Sequence, residues 1–195
     1  MHRLRHAARL LVLFTVTALL TSQILPAAIP RGWYLAGSKP SDYEAGVDPQ
    51  VLHEGHPSAF LKAQKPNSEG FGTLMQDIRT DKFIGKRIRL TGLVKTDAVG
   101  GWAALWMRVD RGTETVAFDN MQDRPLKGTV DWRKCEIVLD VPSGATGIFF
   151  GVLLGGSGTV WLNSLKFEIV GPETPLSIKP PVLRPDSPVN LDFTD

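Results

Sequence analysis

Residues 101–110 of the chain read GWAALWMRVD, and this stretch decides the fold class. Side chains along a β-strand point alternately to its two faces, so a strand here has one apolar face and one face of aromatic and charged residues. The two sets are Ala103, Leu105, Met107 and Val109, and Trp102, Trp106, Arg108 and Asp110. The apolar face is a core face. The mixed face can be a binding platform, an edge packed under a loop, or part of a second buried layer.

The same period of two runs from residue 33 to residue 170, with glycine, proline, asparagine and aspartate at short intervals. It predicts strands in the segments GWYLAGSK, SAFLKAQ, GTLMQDIRT, KRIRLTGLVKT, WAALWMRVD, ETVAFDN, WRKCEIVLDV, TGIFFGVLLG and GTVWLNSLKFEIV. Turns are expected at residues 97–101, at RGTE and at GGSG. About nine short strands indicate an all-β fold, an antiparallel β-sandwich or a barrel.

The composition is that of a globular protein, with 195 residues, 43% hydrophobic and 22% charged. The formal net charge is +2, but Arg3, Arg5 and Arg9 lie in a first segment without acidic residues, and without these three charges the remainder has a net charge of −1. A near-neutral body without basic runs lacks the electrostatic footprint of a nucleic-acid-binding protein. We therefore expect no nucleic-acid partner.

The first 29 residues have the layout of a secretory signal, with a basic start, an apolar stretch and small residues at Ala27 and Ala28. Pro26 makes a poor cleavage site, and residues 10–29 approach the roughly 20 apolar residues that cross a bilayer. Residues 1–29 are therefore predicted to be a signal peptide or an uncleaved N-terminal anchor helix. The protein would then be exported, either periplasmic or secreted, or held in the inner membrane through residues 10–29 if the segment stays uncleaved.

Two further features complete the predicted organisation. Residues 33–171 form the sandwich domain, and residues 172–195, with six prolines, form a proline-rich extended tail. The single cysteine, Cys135, excludes an internal disulfide, and it shares a strand face with Ile137 and Leu139. We expect it to be a small buried hydrophobic residue.

The segments GTLMQDI, GKRIRLTGLVKT, WAALWMRVD and VLDVPSGATGIFFGVLLGGSGTVWLNSLKFEIV occur in an order that resembles bacterial jelly-roll domains of the galactose-binding-like type, which are allied to carbohydrate-binding modules. Such domains occur alone or attached to AraC-type regulators and exported enzymes. The resemblance covers about residues 33–170 and implies a jelly-roll sandwich that binds a sugar. The sequence contains no helix-turn-helix pair, so we do not expect direct transcriptional regulation.

The last predicted strand departs from the pattern of these domains. There it typically reads Trp, apolar, Asp, Asp, and the acidic position often helps to hold a structural calcium ion. Here it reads Trp161, Leu162, Asn163, Ser164. Because asparagine keeps an oxygen but removes the charge, it weakens a site for a hard cation. The resemblance leaves a structural calcium open and implies no other cofactor.

The mixed face predicts a sugar platform, because flat aromatic rings stack on the C–H faces of sugars while polar groups orient their hydroxyls. We expect the tryptophans to stack, nearby polar groups to hydrogen-bond, and the loop FDNMQDRP to close the rim, although a loop of this composition is also an ordinary turn. The predicted ligand-binding residues are Gln76, Trp102, Trp106, Arg108, Asp110, Asn120 and Asp123.

Two patterns invite other chemistry. The histidines of HEGH, residues 53–56, lack the helical spacing and the third ligand of a zinc site, so we interpret them as an exposed connection. The sequence has no nucleophile elbow and no phosphate-binding glycine loop. Asp110, Asp119 and Asp123 would form a glycosidase pair only if two of them faced each other across a cleft.

The sequence therefore predicts a noncatalytic, exported β-sandwich that binds a carbohydrate or another small polar ligand on its mixed face, without a metal site. The alternative is a membrane-tethered structural or protein-interaction module. In that alternative the same face would dock a protein partner, because tryptophan and arginine are frequent anchors of protein interfaces.

Overall fold

A computed structural model describes residues 28–66, 68–178, 187–188 and 190–192 of the chain. The strands are β1 (Tyr34–Gly37), β2 (Tyr43–His53), β3 (His56–Ala63), β4 (Phe71–Arg79), β5 (Lys86–Arg111), β6 (Glu114–Asp119), β7 (Leu126–Val141), β8 (Gly147–Gly155) and β9 (Thr159–Val170). A single 3-10 turn, Pro40–Asp42, precedes β2. All strand pairs are antiparallel, so the predicted all-β fold class is confirmed.

The strands form two layers that pack face to face. In the first layer the order is β2, β3, β9, the first half of β5, and β7. In the second layer it is β1, β4, β8, the second half of β5, and β6. Because β5 belongs to both layers, the nine strands form one hydrogen-bonded sheet. This sheet folds over itself into the two packed layers of the predicted sandwich.

The strand β5 is 26 residues long and passes from one layer to the other. The sequence predicted a turn at residues 97–101 between two separate strands. The structure has a bend there instead, with shifts of register and a left-handed residue, Ala98, at φ 50°. Left-handed and bulged residues bend a strand without reversing it. GWAALWMRVD therefore continues the strand that begins at Lys86.

The strand β2 was not predicted from the sequence. Its segment, YEAGVDPQVLH, contains a glycine and a proline, which are depleted in strands. Pro49 lies where the register of β2 against β3 shifts between Asp48 and Leu52, and a bulge tolerates the missing N–H group of proline. A turn of two residues, Glu54 and Gly55, both at positive φ, joins β2 to β3.

One apolar core lies between the two layers. It takes Leu61, Ile88 and Leu139 from the first layer and Leu105 and Ile148 from the second layer, and all five are fully buried. These residues lie on the strand faces that the alternating sequence pattern assigned to the core. One of these faces is the apolar face of GWAALWMRVD.

Cys135 also belongs to this core. Burial raises the pKa of its thiol to about 11, so the group stays protonated at neutral pH. The expectation of a buried, unreactive cysteine agrees with this environment.

The first residues of the proline-rich segment lie against the first layer. The guanidinium Nη1 of Arg87 donates to the carbonyl oxygens of Pro172 at 2.7 Å and Thr174 at 2.6 Å. The N–H of Ser177 donates to the carbonyl oxygen of Val138 at 3.1 Å, and Ile178 packs against the core. The sequence predicted an extended segment here without this attachment to β5 and β7.

The predicted signal or anchor lies almost wholly outside the described residues, which begin at residue 28. Within the part of the chain that the structure describes, no helix has the length and apolar character to cross a membrane. Export therefore remains a prediction from the sequence.

Candidate functional site

The mixed face of β5 lies on the outer side of the second layer, away from the core. The register places Trp102 opposite Gly155 and Trp106 opposite Gly151, both on β8. Because glycine has no side chain, the two indoles can lie across β8 toward β4 instead of standing above the sheet. The local sequence of β8, GVLLG, thus makes room for the tryptophans of β5.

A cavity of about 550 Å³ opens on this side, and we call it the aromatic groove. Its floor is formed by Met75, Trp106 and Leu153, which are buried against one another. Its walls include Tyr34 on β1 and Phe118 on β6, with 39% and 41% of their surfaces exposed. The groove therefore extends from one edge strand of the layer to the other, and its walls are open to solvent.

Trp106 forms part of the floor and is only 5% exposed. Its Nε1–H donates to the hydroxyl of Thr73 on β4 at 2.8 Å, and that hydroxyl donates to the carbonyl oxygen of Val152 at 3.0 Å. The indole is therefore held flat over the sheet, with its polar atom satisfied. Of the three alternatives for the mixed face, Trp106 matches part of a second buried layer, because it packs with Met75 and Leu153 in a small buried cluster.

Trp102 is partly exposed and lines the groove. A Cβ atom at Gly155 would lie 2.6 Å from the Nε1 atom of Trp102, so the indole lies directly over this glycine. Among the described residues no side chain or carbonyl accepts from the Nε1–H group. Trp102 therefore combines a partly accessible ring with a free donor.

Arg108 and Asp110 form an ion pair beside the floor. The guanidinium of Arg108 lies 4.6 Å from the centre of the Phe149 ring, and its Nη2 atom is 2.9 Å from a carboxylate oxygen of Asp110. Asp110 also accepts from the hydroxyl of Thr115 at 3.0 Å and is 9% exposed. Arg108 therefore lines the groove, while Asp110 lies beside it, where it orients and neutralises the guanidinium.

Tyr34 was not among the predicted site residues. Its hydroxyl donates to a carboxylate oxygen of Asp77 at 3.0 Å, and burial together with this hydrogen bond raises the pKa of the phenol. The only signal for Tyr34 in the sequence was its place in the segment GWYLAGSK. That segment gives no indication that its strand pairs with β4 at the edge of the groove.

The loop after β6 divides between two sites. Asn120 lines the aromatic groove, and its Oδ1 atom accepts from the N–H of Gln122 at 3.3 Å. Asp123 instead lines a different cavity beside β7. There Arg124 donates to it at 2.7 Å, and this hydrogen bond lowers the pKa of the carboxyl. The structure brings Asn120 into the predicted site and excludes Asp123, because the chain turns at Met121, which has a φ of 54°.

Gln76 also lies away from the groove. It occupies the opposite face of β4 from Thr73 and Met75, and its amide donates to the carbonyl oxygen of Gly32 at 3.3 Å. The prediction treated Gln76 as an inward or cleft-facing amide. The structure places it on the other face of β4 at intermediate exposure, where its amide holds the segment before β1.

The carboxylates considered as a glycosidase pair are all held by arginines. Asp110 is paired with Arg108, and Asp119 and Asp123 both contact Arg124. Asp119 is 4% exposed and lies 2.6 Å from the Nη2 atom of Arg124. These contacts direct the three carboxylates to arginines rather than to each other across the groove.

The histidines of HEGH flank the turn between β2 and β3, where His53 pairs with His56 across the hairpin. The ring of His53 lies 5.5 Å from the ring of Trp132, on the first layer. Within the described ranges, no three His, Cys, Asp or Glu side chains are grouped closely enough to hold a metal ion. The hairpin agrees with the interpretation of this segment as a connection.

Asn163, where the resembling domains have an acidic residue, donates to several oxygens. Its Nδ2 atom lies 3.2 Å from the carbonyl oxygen of His56, 3.3 Å from that of Pro57 and 2.9 Å from the hydroxyl of Ser58. The amide nitrogen of Asn163 therefore lies within hydrogen-bond distance of three oxygens. The carbonyl oxygens of His56 and Pro57 therefore call for a hydrogen-bond donor at position 163.

Replacement of Asn163 by aspartate is expected to lower the free energy of unfolding by about 1–3 kcal/mol, because a carboxylate oxygen would then face the two carbonyl oxygens of His56 and Pro57. Urea denaturation of the N163D variant in the presence of a chelator measures this loss. Asn163→Ala is the matched control, since it removes the donor without adding a charge. An N163D variant as stable as the natural protein would contradict the role given to the amide.

Comparison with known proteins gives one related sequence and several related structures. No family model matches the chain. The chain is 42% identical over 168 residues to the HTH-type transcriptional regulator YbfP of Bacillus subtilis (strain 168). The aligned residues make up 85% of this chain and 57% of that protein. The chain thus spans little more than half the length of this relative. The described residues contain strands and a 3-10 turn but no α-helix.

Solved structures of similar fold include the CBM22-1 xylan-binding domain of Paenibacillus barcinonensis Xyn10C, at 14% identity, a TM-score of 0.50, and coverage of 74% of this chain and 90% of that one. The chain has the fold of carbohydrate-binding modules. The CBM22-1 and GH10 modules of Clostridium thermocellum xylanase 10B match at 12% identity and a TM-score of 0.53, covering 72% of this chain and 26% of that one. The enzymatically active domain of tailspike protein 4 of bacteriophage CBA120 matches at 15% identity and a TM-score of 0.56. This match covers 72% of this chain and 20% of that one.

Proposed function

We propose that the protein is a noncatalytic module that binds a carbohydrate in the aromatic groove and acts outside the cytoplasm. The observation that carries this proposal is the groove itself, a cavity on the outer face of a β-layer with an aromatic floor, open aromatic walls and few polar groups. Sugar rings present apolar C–H faces and hydroxyl edges, so they match a site of this composition. The fold shared with xylan-binding domains supports the same ligand class.

The roles of the groove residues follow from their exposure and contacts. Trp102, Tyr34 and Phe118 have accessible rings and would stack on sugar rings. Arg108, fixed by Phe149 and Asp110, would donate to hydroxyl oxygens from one orientation. A preorganised donor loses little conformational entropy when a ligand binds. Trp106 supports these residues from below.

The noncatalytic assignment rests on the contacts that the carboxylates make. Acid–base hydrolysis of a glycoside needs one carboxyl that stays protonated and a second carboxylate facing it across the bond. Asp110, Asp119 and Asp123 are each held by an arginine, so no two of them face each other across the groove. Export rests on the signal-like segment at residues 1–29.

The alternative function is protein interaction through the same groove, with the protein tethered by residues 10–29. The exposed rings of Tyr34 and Phe118 beside Arg108 are the observation that favours it, since such residues often anchor interfaces. The likeness to a protein named as a transcriptional regulator supports a signalling setting for either ligand class.

A saccharide panel tests the proposal. Tryptophan fluorescence of the full chain is titrated with xylohexaose, cellohexaose, oligogalacturonate and soluble galactan oligosaccharides. We expect a saturable change with at least one of them, and an affinity about fivefold to tenfold lower in the F118A variant. Leu52→Ala is the matched control, because Leu52 is an exposed apolar residue of β2, at 49%, outside the groove.

The outcome separates the two functions. If no saccharide binds and a protein partner is retained by the natural chain but lost by the F118A variant, the interaction module is correct. If the L52A variant loses saccharide binding as strongly as the F118A variant, the ligand does not occupy the groove.

A further inference from the structure

A second cavity, of about 340 Å³, adjoins the aromatic groove, and we call it the side cavity. Trp102 and Asn120 line both cavities, and Gln122, Pro125 and Lys127 complete the side cavity. A ligand that extends along the groove past Trp102 therefore enters the side cavity. The chemistry of the second cavity then bears on which ligand fits.

Three polar groups at this junction are hydrogen-bond donors without a partner among the described residues. The Nε1–H of Trp102, the Nδ2 amide of Asn120 and the ammonium group of Lys127 have no acceptor within residues 28–66 and 68–178. The Oδ1 atom of Asn120, the acceptor nearest in the chain, is already bonded to the N–H of Gln122 at 3.3 Å. The amide of Gln122 offers both a donor and an acceptor, and the other three side chains offer donors, so most of the polar groups of the side cavity call for acceptors on a ligand.

The neighbouring acids do not neutralise Lys127. Asp119 and Asp123, the carboxylates of the same loop, are bonded to Arg124 at 2.6 Å and 2.7 Å. In the aromatic groove, by contrast, Arg108 is paired with Asp110 at 2.9 Å. Lys127 has no ion-pair partner in the part of the chain that the structure describes, so the side cavity has one uncompensated positive charge.

Resting on the proposed function, we propose that the bound saccharide carries an anionic group on the unit that enters the side cavity. Lys127 and Asn120 would hold this group, which is either the carboxylate of a uronic acid or a sulfate ester. Hydrogen bonds from a cation to an anionic oxygen are stronger than those to a neutral hydroxyl, and such oxygens supply only acceptors. The groove binds the ring faces, and the side cavity selects for charge.

Calorimetric titration of the full chain with matched saccharides tests this selection. Oligogalacturonate is compared with its carboxyl-reduced form, and a sulfated galactan oligosaccharide with its desulfated form, so the members of each pair differ only at the anionic group. We expect one acidic form to bind about fivefold to tenfold more tightly than its neutral counterpart at low ionic strength. The preference is expected to shrink as salt is added.

Substitution at Lys127 assigns the preference to the side cavity. The K127Q variant is expected to bind the acidic form with no higher affinity than it has for the neutral form. Lys82→Gln is the matched control, because Lys82 is an exposed lysine in the turn after β4, at the end of that strand opposite Phe71. The K82Q variant is expected to retain the full preference.

The failures are distinguishable. Equal affinities within both pairs, a preference that survives in the K127Q variant, or binding of neutral saccharides alone would overturn the anionic ligand while leaving the proposed function intact. Absence of binding by every saccharide, neutral or acidic, would overturn both.

Discussion

Replacement of Trp106 by alanine is expected to lower the free energy of unfolding by about 3–5 kcal/mol, the usual cost of removing a large buried aromatic side chain. Trp106 is 5% exposed and packs between Met75 and Leu153, so its removal leaves a cavity in the floor of the groove. The substitution also removes the donor to the hydroxyl of Thr73. Urea denaturation followed by circular dichroism measures the effect.

Two milder substitutions separate packing from hydrogen bonding. Trp106→Phe keeps most of the apolar surface and is expected to cost less than Trp106→Ala. Thr73→Val leaves the indole Nε1–H buried without an acceptor, which is expected to cost about 1–3 kcal/mol. If the W106A variant were as stable as the natural protein, the indole would not be part of a buried layer.

Replacement of Trp102 by alanine is expected to weaken saccharide binding about tenfold to a hundredfold, because an accessible indole that becomes covered by a ligand contributes about 1.5–3 kcal/mol. Trp102 lines both the aromatic groove and the side cavity, so its removal affects any ligand that spans them. Stability is expected to change less than in the W106A variant, since Trp102 is only partly buried. Calorimetric titration with the best saccharide of the panel measures the loss.

The control for Trp102 is another partly buried tryptophan on the other layer. Trp132 contacts His53 at 5.5 Å and lies outside both cavities. The W132A variant is therefore expected to bind saccharides as the natural chain does. Equal losses in the W102A and W132A variants would indicate an effect on folding rather than on the site.

The fold could be predicted from the sequence because the period of two is local. Alternation along GWAALWMRVD assigned each residue to the core or to the outer face, and the structure agrees. The strand β2 was missed since Gly46 and Pro49 interrupt its pattern, although pairing with β3 overrides the low strand propensity of both. The bend near Ala98 was mistaken for a turn, because the same small residues serve both purposes.

The candidate site could be predicted only in part. Trp102, Trp106 and Arg108 share a face of one strand, so local alternation was enough to group them. Tyr34, in one wall, comes from a strand whose register against β4 is set by long-range pairing, whereas Phe118 lies opposite Arg108 in the local hairpin of β5 and β6 and was overlooked. No local pattern in the sequence carries that register.

Two of the predicted site residues lie outside the aromatic groove for local reasons. Gln76 lies on the same face of β4 as Leu74 and Ile78, so it points away from the groove. The alternation along this strand is consistent with that position. Asp123 is turned toward Arg124 by the left-handed residue Met121. Charged loops were the least predictable part of the site, because the arginine that pairs with each carboxylate depends on the loop conformation.

The indole N–H signals of the five tryptophans, followed by NMR during a saccharide titration of the labelled full chain, test the location of the site most directly. Each tryptophan gives one signal, and single substitutions assign Trp102, Trp132 and Trp161. We predict that the Trp102 signal shifts most in a saturable manner, while the signals of Trp132 and Trp161, on the other layer, stay in place. Shifts at Trp132 or Trp161 without a shift at Trp102 would contradict binding in the aromatic groove.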